Sequence, residues 1–315
     1  MYRALPGSIR FRSRGSSEAM AARSTLVYAL ATLVGVVALT GCSEVRARQH
    51  AREGNRLFRD GEYAAAVREY READRLYPGL PAVALNMGLA CRQLMIPGSR
   101  TPENEKAANC ALESFERFSK LAPDDRRGEQ LRTQTLFDAD RFEQLAAIYE
   151  RQVRDRPANL AAINGLIQVY SRWNRWEKTL EWMVRRADLQ RDPEAHYAVG
   201  AFIQNLLFEK GGGNDKSSFD PRPNPDVEKI PPVFRKGEIA GEQRVKLADL
   251  GISQLERALA LQPKYRSAMV YLNLLYRQKS LAFFGQPDRW QACVDAAERW
   301  RAKALNTKPR QDRTG

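Results

Sequence analysis

An asparagine recurs at three places where its neighbours also match: Ala84-Leu-Asn86-Met-Gly-Leu, Ala162-Ile-Asn164-Gly-Leu-Ile and Tyr271-Leu-Asn273-Leu-Leu-Tyr276. A side-chain amide carries two N–H donors and a carbonyl acceptor. It can therefore pair with the backbone of an extended peptide without reading that peptide's side chains. Two cysteines, Cys91 and Cys110, offer a second kind of chemistry. A bridge between them would close a loop of about 20 residues and contribute roughly 3 kcal/mol in the chain-entropy account; the alternative is a pair of buried thiols at tight helix contacts. Cys293 reads as a small core residue. His50 and His196, the two histidines of the chain, have no motif around them and read as surface or packing residues. No HExxH, GxSxG, Walker loop or GxGxxG occurs, and four Cys and two His are too few for a multinuclear metal site. These residues describe a binding protein without catalytic, metal or cofactor chemistry.

A row of amides needs a row of helices to hold it. From Arg46 onward the apolar residues recur with helical period and no convincing strand alternation appears. The pattern repeats at about 34 residues. The clearest unit is Gly54, Leu57, Gly61-Glu-Tyr63, Ala66, Tyr70, Ala73, Pro78. Gly54 marks a close approach of two helices, Tyr63 and Tyr70 fill the gap, Ala66 and Ala73 leave room for the next helix, and Pro78 stops the second one. A second unit holds Asn86, Gly88, Ala111, Phe115 and Pro123, with an insertion near Ile96–Lys106. A third runs through Asp140-Arg-Phe142, Leu145, Tyr149 and Pro157, and a fourth through Asn164, Tyr170, Asn174-Arg-Trp176, Thr179, Met183 and Pro193. A fifth begins at Pro193–Lys210 and resumes at Val245–Pro263. The last runs from Tyr265 to Pro309, with an insertion near Phe283–Asp288.

This punctuation resembles the tetratricopeptide repeat (TPR). The resemblance implies an all-α fold, a right-handed α-solenoid of about six helix-turn-helix repeats with loop insertions. Since each repeat of a solenoid buries its core against its neighbours, residues 44–309 are expected to form one structural domain. The resemblance also implies that Asn86, Asn164 and Asn273 face a concave groove, that Asn55 lies near a clamp position of the first repeat, and that Arg127 adds a contact to a carboxylate. Ala51 stands where a lysine is usual, so that clamp is incomplete, and asparagine is common at this position in such repeats generally. The block from Tyr265 to Arg277 is similar to the end of a family of exported bacterial TPR proteins, which implies no particular activity.

The N-terminus reads as an export signal. Arg3, Arg10, Arg12, Arg14 and Arg23 precede an apolar run from Leu26 to Leu39. That run would span roughly 21 Å as a helix, short of the roughly 30 Å of a bilayer core. Leu39-Thr40-Gly41-Cys42 follows and resembles the bacterial lipobox. The resemblance implies a lipid on Cys42, cleavage after Gly41 and removal of residues 1–41, with Met20 as an alternative start. Ser43, in place of Asp, implies sorting to the outer membrane, facing the periplasm. No later apolar run is long enough to span a membrane.

Residues 211–238 hold Gly211–Gly213 and five prolines and read as a long surface loop, either tolerated disorder or a docking segment. Residues 310–315 read as a disordered tail. Trp173, Trp176 and Trp182 cluster at helical spacing, as core residues or as an aromatic binding patch; Trp290 and Trp300 read the same way, or as a cap. The net charge of +13 favours an acidic partner, unless it reflects only an arginine-rich composition. Export argues against nucleic acid. The expected function is a lipid-anchored scaffold for protein–protein interaction in the cell envelope, binding a protein or peptide segment in its groove. The alternatives are an assembly or pilotin-type lipoprotein of the outer membrane, and a binder of envelope glycans or lipids.

Overall fold

The structure, a computed structural model, describes residues 43–211, 237–283 and 286–307. The signal segment with Cys42, nearly all of the 211–238 insertion and the 310–315 tail lie outside the described residues. Twelve α-helices, and no strand, are found among those residues: α1 (residues 43–59), α2 (Tyr63–Leu76), α3 (Pro81–Gln93), α4 (Pro102–Leu121), α5 (Arg127–Asp138), α6 (Phe142–Asp155), α7 (Leu160–Arg172), α8 (Trp176–Gln190), α9 (Pro193–Lys210), α10 (Gly241–Leu261), α11 (Arg266–Ser280) and α12 (Pro287–Asn306). A short 3-10 turn, Leu281–Phe283, follows α11. The fold is all-α and built from TPR-type helix-turn-helix repeats. Contacts divide it into two compact units, one ending at Arg141 with α1–α5 and one beginning at Phe142 with α6–α12.

Three of the turns between consecutive helices share one geometry. Gly61, Asp140 and Asn174 all adopt a left-handed backbone, with φ of 80°, 53° and 57°. The next residue's N–H then reaches back five positions in each case, Glu62 to the Leu57 carbonyl, Arg141 to Leu136 and Arg175 to Tyr170, at 2.8–2.9 Å. This is the Schellman ending of a helix, which satisfies carbonyls the last turn would leave unpaired. Gly, Asp and Asn are the residue types that tolerate such a φ best. Three starts are set by caps: the Thr101, Asn159 and Asp192 side chains accept from Asn104, Ala162 and Ala195 N–H, and Pro102 and Pro193 open their helices.

Glycines on the first helix of a pair let aromatic rings of a neighbouring helix approach the backbone. A Cβ at Gly54 would lie 2.7 Å from Tyr70, at Gly88 2.5 Å from Phe115, and at Gly165 2.6 Å from Tyr149. In the first unit, Tyr70 and Phe115 join Leu57, Val67, Val83 and Phe118 in one apolar core. In the second, Ile203, Leu207, Leu255, Leu272 and Leu275 form the centre of another.

The structure shortens the first insertion. Residues 102–106, placed in a loop by the sequence, open α4, because Thr101 caps the helix and Pro102 supplies a preset φ at its first position. The irregular stretch is therefore 94–101. The fifth pair likewise resumes at Gly241 rather than Val245.

Candidate functional site

Asn55 of α1 and Asn86 of α3 are both half-buried and meet directly: Asn86 Nδ2 donates to Asn55 Oδ1 at 2.9 Å. The Tyr70 hydroxyl of α2 donates to the same oxygen at 2.8 Å. Burial pushes the Tyr70 phenol up to about 12, and the nearby Arg59 charge opposes that rise. Arg52 and Arg59 flank Asn55 along one face of α1, three residues before and four after. Both are exposed.

Arg127, at the start of α5, turns back on its own loop. It donates to the Asp125 carboxylate from Nε at 3.0 Å and from Nη2 at 2.7 Å, and lies 5.7 Å from the Phe118 ring centre. These hydrogen bonds hold the Asp125 carboxyl below its usual range.

In the second unit Asn164 is exposed on α7, and its carbonyl oxygen accepts from Arg186 Nη1 of α8 at 3.2 Å. Asn273 on α11 is half-buried and accepts from Arg277 Nε at 3.0 Å. Arg277 also holds Glu298 of α12. The structure thus joins Asn55 to Asn86, while Asn164 and Asn273 sit on α7 and α11 with α9 between them in chain order. At Asn164 and Asn273 an arginine N–H already engages the amide carbonyl. Sequence spacing gave no sign of Arg186, whereas Arg277 stands four residues after Asn273 on the same helix face.

Cys91 of α3 and Cys110 of α4 form a disulfide with their Cα atoms 5.9 Å apart. The neighbouring loop is pinned from three further directions. Ile96 N–H donates to Asn104 Oδ1 at 2.6 Å, Asn104 Nδ2 donates to the Ser99 carbonyl at 2.7 Å, and Gly98 N–H donates to the Asp138 carbonyl at 3.0 Å. Asn104 is buried and was not singled out by the sequence reading. Its only signal is its place three residues after the capping Thr101.

The other chemically capable side chains pack rather than gather. His50 lies 2.7 Å from Glu69 Oε2. His196 is buried with its Nδ1 2.6 Å from Gln254 Oε1, itself buried. Cys293 is buried with Phe283 and Trp290, and burial pushes its thiol up. Trp182 and Trp290 are buried; Trp173, Trp176 and Trp300 are half-buried. Arg175, Arg185 and Lys303 stack over Trp173, Trp182 and Trp300 at 5.2, 5.2 and 4.2 Å. The two ends of the 211–238 insertion are held together. Lys210 pairs with Glu238 at 2.8 Å, Ile239 N–H donates to the Lys210 carbonyl at 3.1 Å, and the buried Arg244 donates to the Gly211 carbonyl. No helix among the described residues is long and apolar enough to cross a membrane.

No family model matches the chain, and no curated protein matches it. Among solved structures it is similar to a double mutant of MamA RS-1, at 22% identity over 50% of this chain and 83% of that one, with a TM-score of 0.33. It is similar to MamA from Desulfovibrio magneticus RS-1 at 14% identity over 85% and 97%, with a TM-score of 0.27. A thermophilic TPR protein of Thermus thermophilus, TTC0263, is 16% identical over 73% and 98%, with a TM-score of 0.28. At such identities the likeness concerns the fold alone.

Proposed function

We propose that this chain is a helical-repeat scaffold of the bacterial cell envelope, tethered to a membrane by lipid on Cys42, that holds a segment of a partner polypeptide along the first helices of its repeats. The observation that carries the reading is the Asn55–Asn86 hydrogen bond. It sets amides of two successive repeats side by side, with exposed Arg52 and Arg59 flanking Asn55 on α1. Such a row offers hydrogen bonds to peptide backbone and favours acidic segments by charge. In the second unit, Asn164 and Asn273 would offer N–H groups of their own. Arg127 contributes less than its position implies, since Asp125 engages it. The Cys91–Cys110 disulfide fits an exported protein, because thiols persist as disulfides in oxidising compartments. Ser43 after the lipidated cysteine favours the outer membrane, facing the periplasm. An outer-membrane assembly or pilotin-type role is one form of the same scaffold. Recognition of glycan or lipid by the tryptophans is less favoured, because all five are buried or half-buried.

The test is a photo-crosslinking residue at Asn164 in the native host, with mass spectrometry of the adduct. One dominant envelope protein, lost when Asn86 and Asn273 are replaced by Ala, supports the reading. Adducts with lipid or glycan alone would overturn it.

A further inference from the structure

On α3, Asn86, Leu89 and Gln93 follow one another at helical spacing on a single face. Beyond Asn86 along that face lies a cavity of about 270 Å³, lined by Leu89, Arg92, Gln93, Met95, Pro97 and Asp138. Its wall is the 94–101 loop, held in place by the Cys91–Cys110 disulfide, by Asn104 and by the Gly98–Asp138 hydrogen bond. That loop keeps two large aliphatic side chains in solvent, Leu94 at 41% and Ile96 at 66% exposure. Solvating them is unfavourable, and the pinned backbone prevents their collapse onto the core.

The charges lining the cavity decide what it takes. Arg92 donates to Asp138 at 2.7 Å and to Gln134 at 3.0 Å. The pair is about three-quarters buried on both sides, and it presents no net charge. An incoming carboxylate would compete for Arg92 and leave Asp138 partly buried without its partner, which is costly. The rest of the lining is Leu89, Met95, Pro97 and the neutral amide of Gln93. Met95, itself buried, backs the cavity with an adaptable apolar side chain.

We propose that this pocket takes an uncharged aliphatic side chain of the bound peptide, an anchor of the Leu, Ile, Val or Met type, while Asn86 and Gln93 pair with the peptide backbone on either side. The proposal rests on the groove reading above and gives it a sequence preference: the acidic residues favoured by Arg52 and Arg59 lie elsewhere on the peptide, not at the anchor. The partner is an exported polypeptide that presents an extended, apolar-anchored segment.

The experiment is selection of a random peptide library on the purified full-length chain. Fluorescence anisotropy of the selected peptide would follow, against the wild type and the Leu89→Ala, Ile96→Asp and Asn86→Ala variants. Ile96 is exposed, so Ile96→Asp leaves the core intact. The expected result is enrichment of one aliphatic position over Asp and Glu. Changing that residue of the peptide to Asp should weaken binding at least about tenfold, and Leu89→Ala should weaken the aliphatic peptide but not its Asp form. Enrichment of an acidic anchor, or equal effects of Leu89→Ala on both peptides, would overturn the pocket; if Asn86→Ala still weakened binding, the groove would stand without it. Failure to select any peptide would remove the groove and the pocket together. Self-association of the chain abolished by Ile96→Asp would give the surface to a second copy and overturn the proposal.

Discussion

The carbonyl oxygen of Asn55 accepts two hydrogen bonds at once, from Asn86 Nδ2 at 2.9 Å and from the Tyr70 hydroxyl at 2.8 Å. Asn55 is therefore the shared acceptor and Asn86 only one of its donors, so the two asparagines differ in their contribution to stability. Asn55→Ala leaves the hydroxyl of buried Tyr70 without a partner and should cost about 1–3 kcal/mol. Asn86→Ala removes one donor from a site that keeps the other and should cost about 1 kcal/mol or less. Urea unfolding of the two variants checks the order. The reverse order would mean that the Tyr70 hydroxyl finds another acceptor.

The three left-handed turns predict opposite signs for opposite substitutions. A Cβ added at Gly61 would meet nothing within 4 Å, but the residue holds a φ of 80°. Gly61→Ala should therefore destabilise by about 1–2 kcal/mol through backbone strain alone. Asp140 holds φ of 53°, and Asp140→Gly should be neutral or slightly stabilising for the same reason. Thermal melts of both variants measure this directly. A stabilising Gly61→Ala would show that the turn does not keep its left-handed residue in solution.

Gly88 makes the contrasting case, where space rather than φ is limiting. A Cβ there would sit 2.5 Å from a Phe115 ring that is wholly buried. Gly88→Ala should cost about 1–3 kcal/mol by overpacking, and Phe115→Leu in the same chain should recover part of that loss. A double-mutant cycle tests the coupling; strict additivity would mean that helix propensity, not the ring contact, governs the position.

The Cys91–Cys110 bridge spans 19 residues of sequence. Replacing both cysteines by Ala should lower the unfolding free energy by about 3 kcal/mol, and a reductant should lower the wild type by a similar amount while leaving the variant unchanged. Denaturation with and without reductant checks it. A wild type insensitive to reductant would indicate that the bridge is unformed or inaccessible.

The fold was readable because several repeats punctuate themselves. Gly54, Gly88 and Gly165 sit where rings press on the backbone, and Gly61, Asp140 and Asn174 sit at the left-handed turns. Both are local requirements that a few residue types announce, glycine at the ring contacts and glycine, asparagine or aspartate at the turns. The site was less readable, because its state depends on partners far away in sequence. Arg186 reaches Asn164 from 22 residues on, and His196 meets Gln254 across 58 residues. The pinned 94–101 wall depends on Asp138, forty residues beyond Gly98. Pairings of this kind follow from how helices stack, which spacing along the chain does not encode. Arg127 was obscured differently. Its partner Asp125 is only two residues away, but whether an arginine turns inward to its own loop or outward to a ligand is a matter of rotamer, not of sequence position.

Buried tyrosines make the stability depend on alkaline pH. Burial pushes the Tyr70 phenol up to about 12. Tyr197 also rises to about 12, through burial first and then through its hydrogen bond with Tyr271. Tyr265 and Tyr170 are raised by burial and by hydrogen bonds to Glu194 and Glu150. A raised phenol favours the neutral form in the folded state, relative to an unfolded tyrosine near pH 10. The stability this contributes is complete below about pH 10 and is lost as pH rises toward the folded values. Unfolding free energy should therefore be flat in these groups' contribution up to about pH 10 and decline above it. Tyr70→Phe removes one titrating phenol, so its decline between about pH 10 and 12 should be shallower than that of the wild type. It should nonetheless start from a lower value at neutral pH, because the bond to Asn55 is gone. Urea unfolding of the two proteins across that range separates the effects, since titration of lysine and of the other tyrosines is common to both. Parallel curves would show that the Tyr70 hydroxyl is open to solvent and that the Asn55 acceptor does not hold it.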